Sequence, residues 1–179
     1  LVLYKSSQPA SYGNRISSVM DISLKKADST KFHGNAGIGI LNSNIFIEAP
    51  IKDFCSFYVG GRATYSNWIL HKSHNVNIKN SSTNFHDLIA KIDFNLGRNH
   101  KLDVFGYESA DYFNYNNINK FDYSSLIGGM NYRWLITHAL QFKLSAAYSD
   151  YKSTLSDLSQ ESLASNVATG INHIRGKAE

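Results

Sequence analysis

Two prolines and one cysteine among 179 residues are the first shortages in this sequence. A lone Cys55 excludes a disulfide framework and any paired-cysteine metal or redox motif. On an apolar strand face it reads as an inert packing residue. Charge is also sparse. The net value is +4 with Lys and Arg scattered, so the basic stripe of a nucleic-acid groove is missing and no nucleic-acid partner is expected. No apolar run approaches the ~20 residues of a membrane-spanning helix. That shortage excludes helical spans only. A transmembrane strand needs about 10 residues of alternating pattern with a polar lumen side, and the mean hydropathy of −0.30 is compatible with it. "LVLYKSSQPA" has no initiating Met, and no basic region precedes an apolar one, as expected of a mature form or an internal fragment.

What is abundant is turn chemistry and aromatics. There are 23 Ser and 18 Asn, and Phe, Trp and Tyr make up 13% of the chain, which argues against disorder. Helical periodicity fails nearly everywhere, while period 2 succeeds repeatedly. In "DLIAKIDFNL", Leu88, Ala90, Ile92, Phe94 and Leu96 oppose Asp87, Ile89, Lys91, Asp93 and Asn95. In "LQFKLSAAYSDY", Leu140, Phe142, Leu144, Ala146 and Tyr148 oppose Gln141, Lys143, Ser145, Ala147 and Ser149. "SLIGGMNYRWLI" and "CSFYVGGRATYS" divide in the same way, with Met130, Tyr132 and Trp134 or Phe57 and Val59 on one side. Strands are expected near 31–40, 43–50, 54–70, 84–96, 100–113, 122–136 and 139–152, and an eighth begins near Val167 and runs out in mid-pattern.

A half-buried soluble sheet would alternate in the same way. Two features favour a membrane barrel. The strands are on the order of 10–15 residues, against about 5–6 in soluble sheets. Their connections are expected to alternate in length: "APIKDFC", "LGRNHK" and "ITHAL" are short, whereas "HKSHNVNIKNSSTN", "NYNNINKF" and "STLSDLSQESLASN" are long. Short turns at one end and long loops at the other mark outer-membrane barrels. Trp68, Tyr112, Phe113, Tyr132, Trp134, Tyr148 and Tyr151 near strand ends would suit interfacial girdles. The fold class expected is all-β: an antiparallel up-and-down transmembrane β-barrel segment of about 7–8 strands.

"PASYGNRISSVMDISLKK" (Pro9 to Lys26) does not share the ladder's pattern. It resembles the end of the plug domain in TonB-dependent outer-membrane receptors: a Pro, a small residue, an aromatic-Gly pair, then a short strand. "KFHGNAGIGILNSNIFIEAPI" is similar to the first barrel hairpin of that family, although Ala49 stands where Gly is frequent. "FYVGGRATY" is similar to its third strand. The resemblance implies that residues 1–28 end a plug and that 29–179 begin a barrel of about 22 strands. It implies energised uptake of a scarce nutrient (siderophore, cobalamin or oligosaccharide) across the bacterial outer membrane. The partners implied are outer-membrane lipid, a TonB protein acting upstream of Leu1, and a small-molecule or oligosaccharide ligand. The competitors are a small complete outer-membrane barrel serving as an adhesin or structural protein, and a soluble lipocalin-like binder with its apolar faces inward.

No catalytic constellation emerges, and no cofactor or metal is expected. His71 and His74 lack a third ligand. Asp103 and Asp111 fall on one strand face and Glu108 on the other, which suits solvated positions better than a carboxylate pair. Ser-rich stretches carry no nucleophile elbow, and "GIGILNSN" lacks the Lys-Ser/Thr of a phosphate loop. The glycine pairs 60–61 and 128–129 are read as permitting curvature or close plug approach. Arg62 and Arg133, on the polar side, are the candidate lumen residues and would contact plug carboxylates. "DYFNYNNINKFDY" (Asp111 to Tyr123) mixes rings and amides in a way that suits sugars, and equally suits a surface loop.

Overall fold

The computed structural model describes residues 2–5, 18–158 and 165–179. Two short strands, β1 (Val2–Tyr4) and β2 (Val19–Asp21), pair with each other in a small separate sheet. The remaining strands form one antiparallel meander: β3 (His33–Ile38), β4 (Asn42–Lys52), β5 (Cys55–Thr64), β6 (Ser82–Asn95), β7 (His100–Tyr115), β8 (Asn119–Leu135), β9 (Gln141–Asp157) and β10 (Ser165–Ala178). Each strand pairs with its sequence neighbours, so connections stay local. β3 and β10 are edges with no pairing between them, and the sheet is open.

Chemistry at the hairpin ends explains the boundaries. β7 and β8 meet at Asn116 and Asn117, with φ of 49° and 57°. The connection is the three residues 116–118, closed by the Ile118 N–H on the Tyr115 carbonyl; a turn with positive φ at both central residues suits Asn, which tolerates it better than other side-chain-bearing residues. The stretch expected to be a long loop, "NYNNINKF", is therefore mostly strand, and β7 and β8 reach 16 and 17 residues. The expectation of alternating connection lengths is corrected accordingly. Among the described connections only 65–81 is long, and it folds into two helical turns, α1 (Asn67–Leu70) and α2 (Val76–Lys79). The strand expected to run to residue 70 stops at Thr64 for the same reason. Asn75 caps α2, accepting from the Asn77 N–H, and Ser81 Oγ accepts from the Asn116 N–H at 3.0 Å, tying this loop to the β7–β8 turn.

The sheet has two walls of opposite character. Phe57, Ile92, Val104, Met130 and Ala146 lie in register across five strands on one wall. Tyr58, Lys91 and Phe105 lie on the other. Burial runs against hydrophobicity. Tyr58 and Lys91, on the polar wall, are 3% and 5% exposed, whereas Leu126 and Ile174, on the apolar wall, are 50% and 81% exposed. Among the described residues the buried hydrophobic ones are Ala27, Cys55 and Tyr58. The accessible area is 12601 Å², against about 8,700 Å² for a compact soluble protein of this mass.

Gly60 and Gly129 have a local explanation in the sheet itself. A Cβ on Gly60 would sit 3.0 Å from the Phe46 ring, and one on Gly129 would sit 2.7 Å from the Phe105 ring. Each glycine lets an aromatic ring from the neighbouring strand lie flat over the backbone.

Candidate functional site

The polar wall is where the molecule concentrates its specific contacts. Residues 22–32 form no strand; they cross this wall as a strap held by alternating donors and acceptors. Lys25 Nζ donates to Glu48 Oε1 at 2.9 Å, and the Asp28 N–H donates to Glu48 Oε2 at 3.3 Å. The Ala27 N–H donates to Asp93 Oδ2 at 3.0 Å, while Asp93 Oδ1 pairs with Lys91 Nζ at 2.9 Å. Lys91 Nζ in turn donates to the Lys25 carbonyl at 3.1 Å. Lys91 and Asp93 thus form a buried pair whose remaining valences are filled by the strap backbone, the condition under which burying charge is tolerable. The Lys25 ammonium also lies 4.5 Å from the Phe46 ring centroid, a cation–π contact.

Asp28 closes the strap on its outer side. Its carboxylate accepts from the Thr30 hydroxyl at 2.7 Å, from the Thr30 and Lys31 N–H groups, and lies 2.9 Å from the His33 ring. These bonds, the Thr30 hydroxyl first, hold the Asp28 carboxyl well below the usual carboxylate range by favouring the ionised form.

Between the strap and the sheet lies a cavity of about 910 Å³, walled by Ile22 and Lys26 on one side and by residues from Lys91 to Arg175 and Lys177 on the other. Further toward the long-loop end the polar wall becomes aromatic. Phe85, Tyr107, Phe113, Phe121, Tyr123 and Tyr151 all share its register. The Phe113 and Phe121 rings are 6.0 Å apart, and Arg62 sits 5.3 Å over Phe85.

The candidates singled out from sequence fall as follows. Arg62 is on the polar wall and donates to Asp87 of the adjacent strand at 2.6 Å, so its carboxylate partner lies in the sheet itself. Arg133 is on the same wall, between Lys101 and Lys143. Asp103 accepts from Asn131 at 2.8 Å, and Glu108, on the opposite wall, meets His86 at 3.2 Å. His71 caps the end of α1, and His74 lies in the same loop. No group of three or more metal-ligating side chains is found among the described residues. Of the rings expected at strand ends, Tyr112, Tyr132, Trp134 and Tyr148 are on the apolar wall, but Phe113 and Tyr151 face the other way and Trp68 is in α1. The stretch that carried the plug resemblance lies outside the described residues from 9 to 17, and its remainder is β2 and the strap.

Sequence reasoning missed the strap. Glu48, Lys91 and Asp93 look like ordinary polar positions of alternating strands. The one available signal was charge of both signs at adjacent polar-wall sites. Compared with known proteins, the chain matches no family model, no curated protein and no solved structure.

Proposed function

We propose that this chain is a membrane-embedded portion of an outer-membrane β-barrel transporter of the TonB-dependent receptor type, which takes up a scarce nutrient through a plugged lumen. The observation that supports this most is the inverted burial. Over β4 to β6 the polar wall is covered by the chain's own strap while the apolar wall of the sheet stays bare, the arrangement a strand needs when lipid lies on one side and a filled lumen on the other.

The dimensions agree. On β8 the apolar wall runs from Leu126 to Trp134, eight steps of about 3.3 Å, or about 26 Å along the strand. A tilt of about 40° reduces this to about 20 Å of height, against about 25 Å for an outer-membrane apolar band. Ile136 and Leu140 at the adjoining turn extend it. At that border His100 stacks 5.6 Å from Trp134 and bonds the Tyr132 hydroxyl at 2.7 Å, the amphipathic ring chemistry of an interface girdle. Above the band, the aromatic inner wall from Tyr107 to Tyr151 supplies stacking surfaces for a sugar or an aromatic nutrient. Plug and TonB coupling rest on the sequence resemblance. The open edges at β3 and β10 favour a larger barrel over a closed eight-stranded one, and an exposed apolar wall disfavours a soluble lipocalin-like binder.

Tryptophan quenching tests the proposal. In a Trp68→Phe variant, Trp134 is the remaining indole. Lipids brominated on their acyl chains should quench its fluorescence strongly once the chain is folded into vesicles. Unquenched Trp134, with a monodisperse folded monomer in plain buffer, would overturn the membrane assignment.

A further inference from the structure

The two halves of the polar wall carry opposite charge. Under the strap, on β4 to β6, the wall presents Glu48 and Asp93 against Lys91. The strap that covers it carries Lys25, Lys26 and Lys31 against Asp28. There an acidic surface has a basic cover. On β7 to β10, toward the short turns, the sign reverses. Lys101, Arg133 and Lys143 stand directly opposite one another on three neighbouring strands. Arg175 and Lys177 follow on β10, on the same wall, where the cavity of about 910 Å³ between strap and sheet opens onto them.

The nearby acids do not balance this floor. Asp103, beside it, accepts from the Asn131 amide at 2.8 Å, and Glu179 pairs with Lys177. Asp21 stands across the cavity, next to Lys26 on the strap. Lys101, Arg133, Lys143 and Arg175 make no side-chain hydrogen bond or ion pair with any described residue, and all four are exposed. Like charges directly opposite on neighbouring strands destabilise a sheet, so a row of three calls for counter-charge from outside it. From β7 to β10 the floor spans three strand spacings, about 14 Å. That is too wide for one phosphate or carboxylate. An extended peptide repeats the side chains of one face about every 6.8 Å, which sets three carboxylates across the floor.

We propose that this floor docks an extended acidic segment of the lumen-filling domain, crossing β7 to β10 as the strap crosses β4 to β6. Its carboxylates meet Lys101, Arg133 and Lys143 and reach Arg175 at the β10 end. The source of the segment rests on the transporter reading above, whereas the selection of acid rests on the floor. The change of sign along the wall then orients the domain, with its basic end over β4 to β6 and an acidic face over β7 to β10. The reverse orientation would set like charges against each other.

Peptide binding tests this. The folded chain in detergent micelles is titrated with a rhodamine-tagged nonapeptide of alternating Asp and Ser, and with its Lys-Ser counterpart, and anisotropy is read. The acidic peptide should bind and the basic one should not. Lys101→Gln with Lys143→Gln should weaken binding about fivefold, the worth of two exposed ion pairs. Lys120→Gln with Lys152→Gln removes the same charge from the other wall and should leave binding unchanged. Equal losses in the two double variants would reduce the effect to net charge and overturn the site. Displacement of the peptide by an equal concentration of tripolyphosphate would overturn the peptide in favour of a small anion. Peptide binding without lipid quenching of Trp134 overturns the transporter reading, and with it the source of the segment, while the selection of acid stands. Quenching of Trp134 without peptide binding overturns the docking alone.

Discussion

β5 and β10 are strands of one antiparallel sheet with different fates. On β5, Ser56 and Tyr58 are almost fully buried, and on β10 nearly every residue is exposed. What separates them is contact with the strap, which bonds to β4, β5 and β6, whereas β10 is an edge strand that faces it across the cavity. Alternation assigns each residue to a wall, but coverage decides whether that wall is buried. In this protein it is the polar wall that the chain itself covers.

The largest effect is expected where the strap meets the buried pair. Asp93→Ala removes the acceptor for the Ala27 N–H and strands the Lys91 ammonium. It should cost about 3–5 kcal/mol in urea unfolding and expose Lys25 and Lys26 to trypsin. Asp150→Ala on β9, where the partner Lys152 is exposed, should cost under about 1 kcal/mol. Comparable losses at both sites would erase the contrast.

Next come the two walls themselves. Met130→Lys places a charge on the apolar wall and should weaken insertion into vesicles by about 2–4 kcal/mol if it lies near the bilayer midplane. Asn131→Lys, its neighbour on the polar wall, should insert almost unchanged. Equal penalties would mean that neither wall faces lipid.

A packing contrast follows. Gly129→Val drives side-chain atoms into the Phe105 ring and should destabilise by about 1–3 kcal/mol. Gly170→Ala on β10, where nothing lies within 4 Å, should leave the midpoint of unfolding in place.

The smallest effect is acid-dependent. The Asp28 carboxyl is held below its ordinary value, so its contribution to stability is complete above the unfolded-state value of about 3.9 and fades as pH falls from there. Protection of the Thr30 and Lys31 amides from hydrogen exchange should therefore fall below about pH 4, and Asp28→Asn should flatten that part of the profile. A fall equally steep in the variant would locate the acid sensitivity elsewhere.

Most of the ladder was legible because a strand's side chains alternate with period 2, so Leu88 through Leu96 sort onto one wall whatever surrounds them. The errors cluster where composition stood in for conformation. The Asn-rich stretch near 116 looked like a loop, but two adjacent Asn with positive φ make a tight turn and release the flanking residues into strands. Residues 65–70 looked like the end of a strand, but Asn67–Leu70 form a helical turn. Phe113 and Tyr151 looked like girdle rings, yet register sends them to the inner wall.

Local rules alone thus determined that the chain is all-β, that its neighbours pair in order, and that runs such as Leu88 through Phe94 share one wall. Those properties depend on backbone geometry repeated every two residues. Which wall would be covered and how Lys91 and Asp93 would be neutralised depended on contacts between residues as far apart as Ala27 and Asp93. Such contacts form through space, between segments that carry no periodic trace of one another, and only the tertiary structure could decide them.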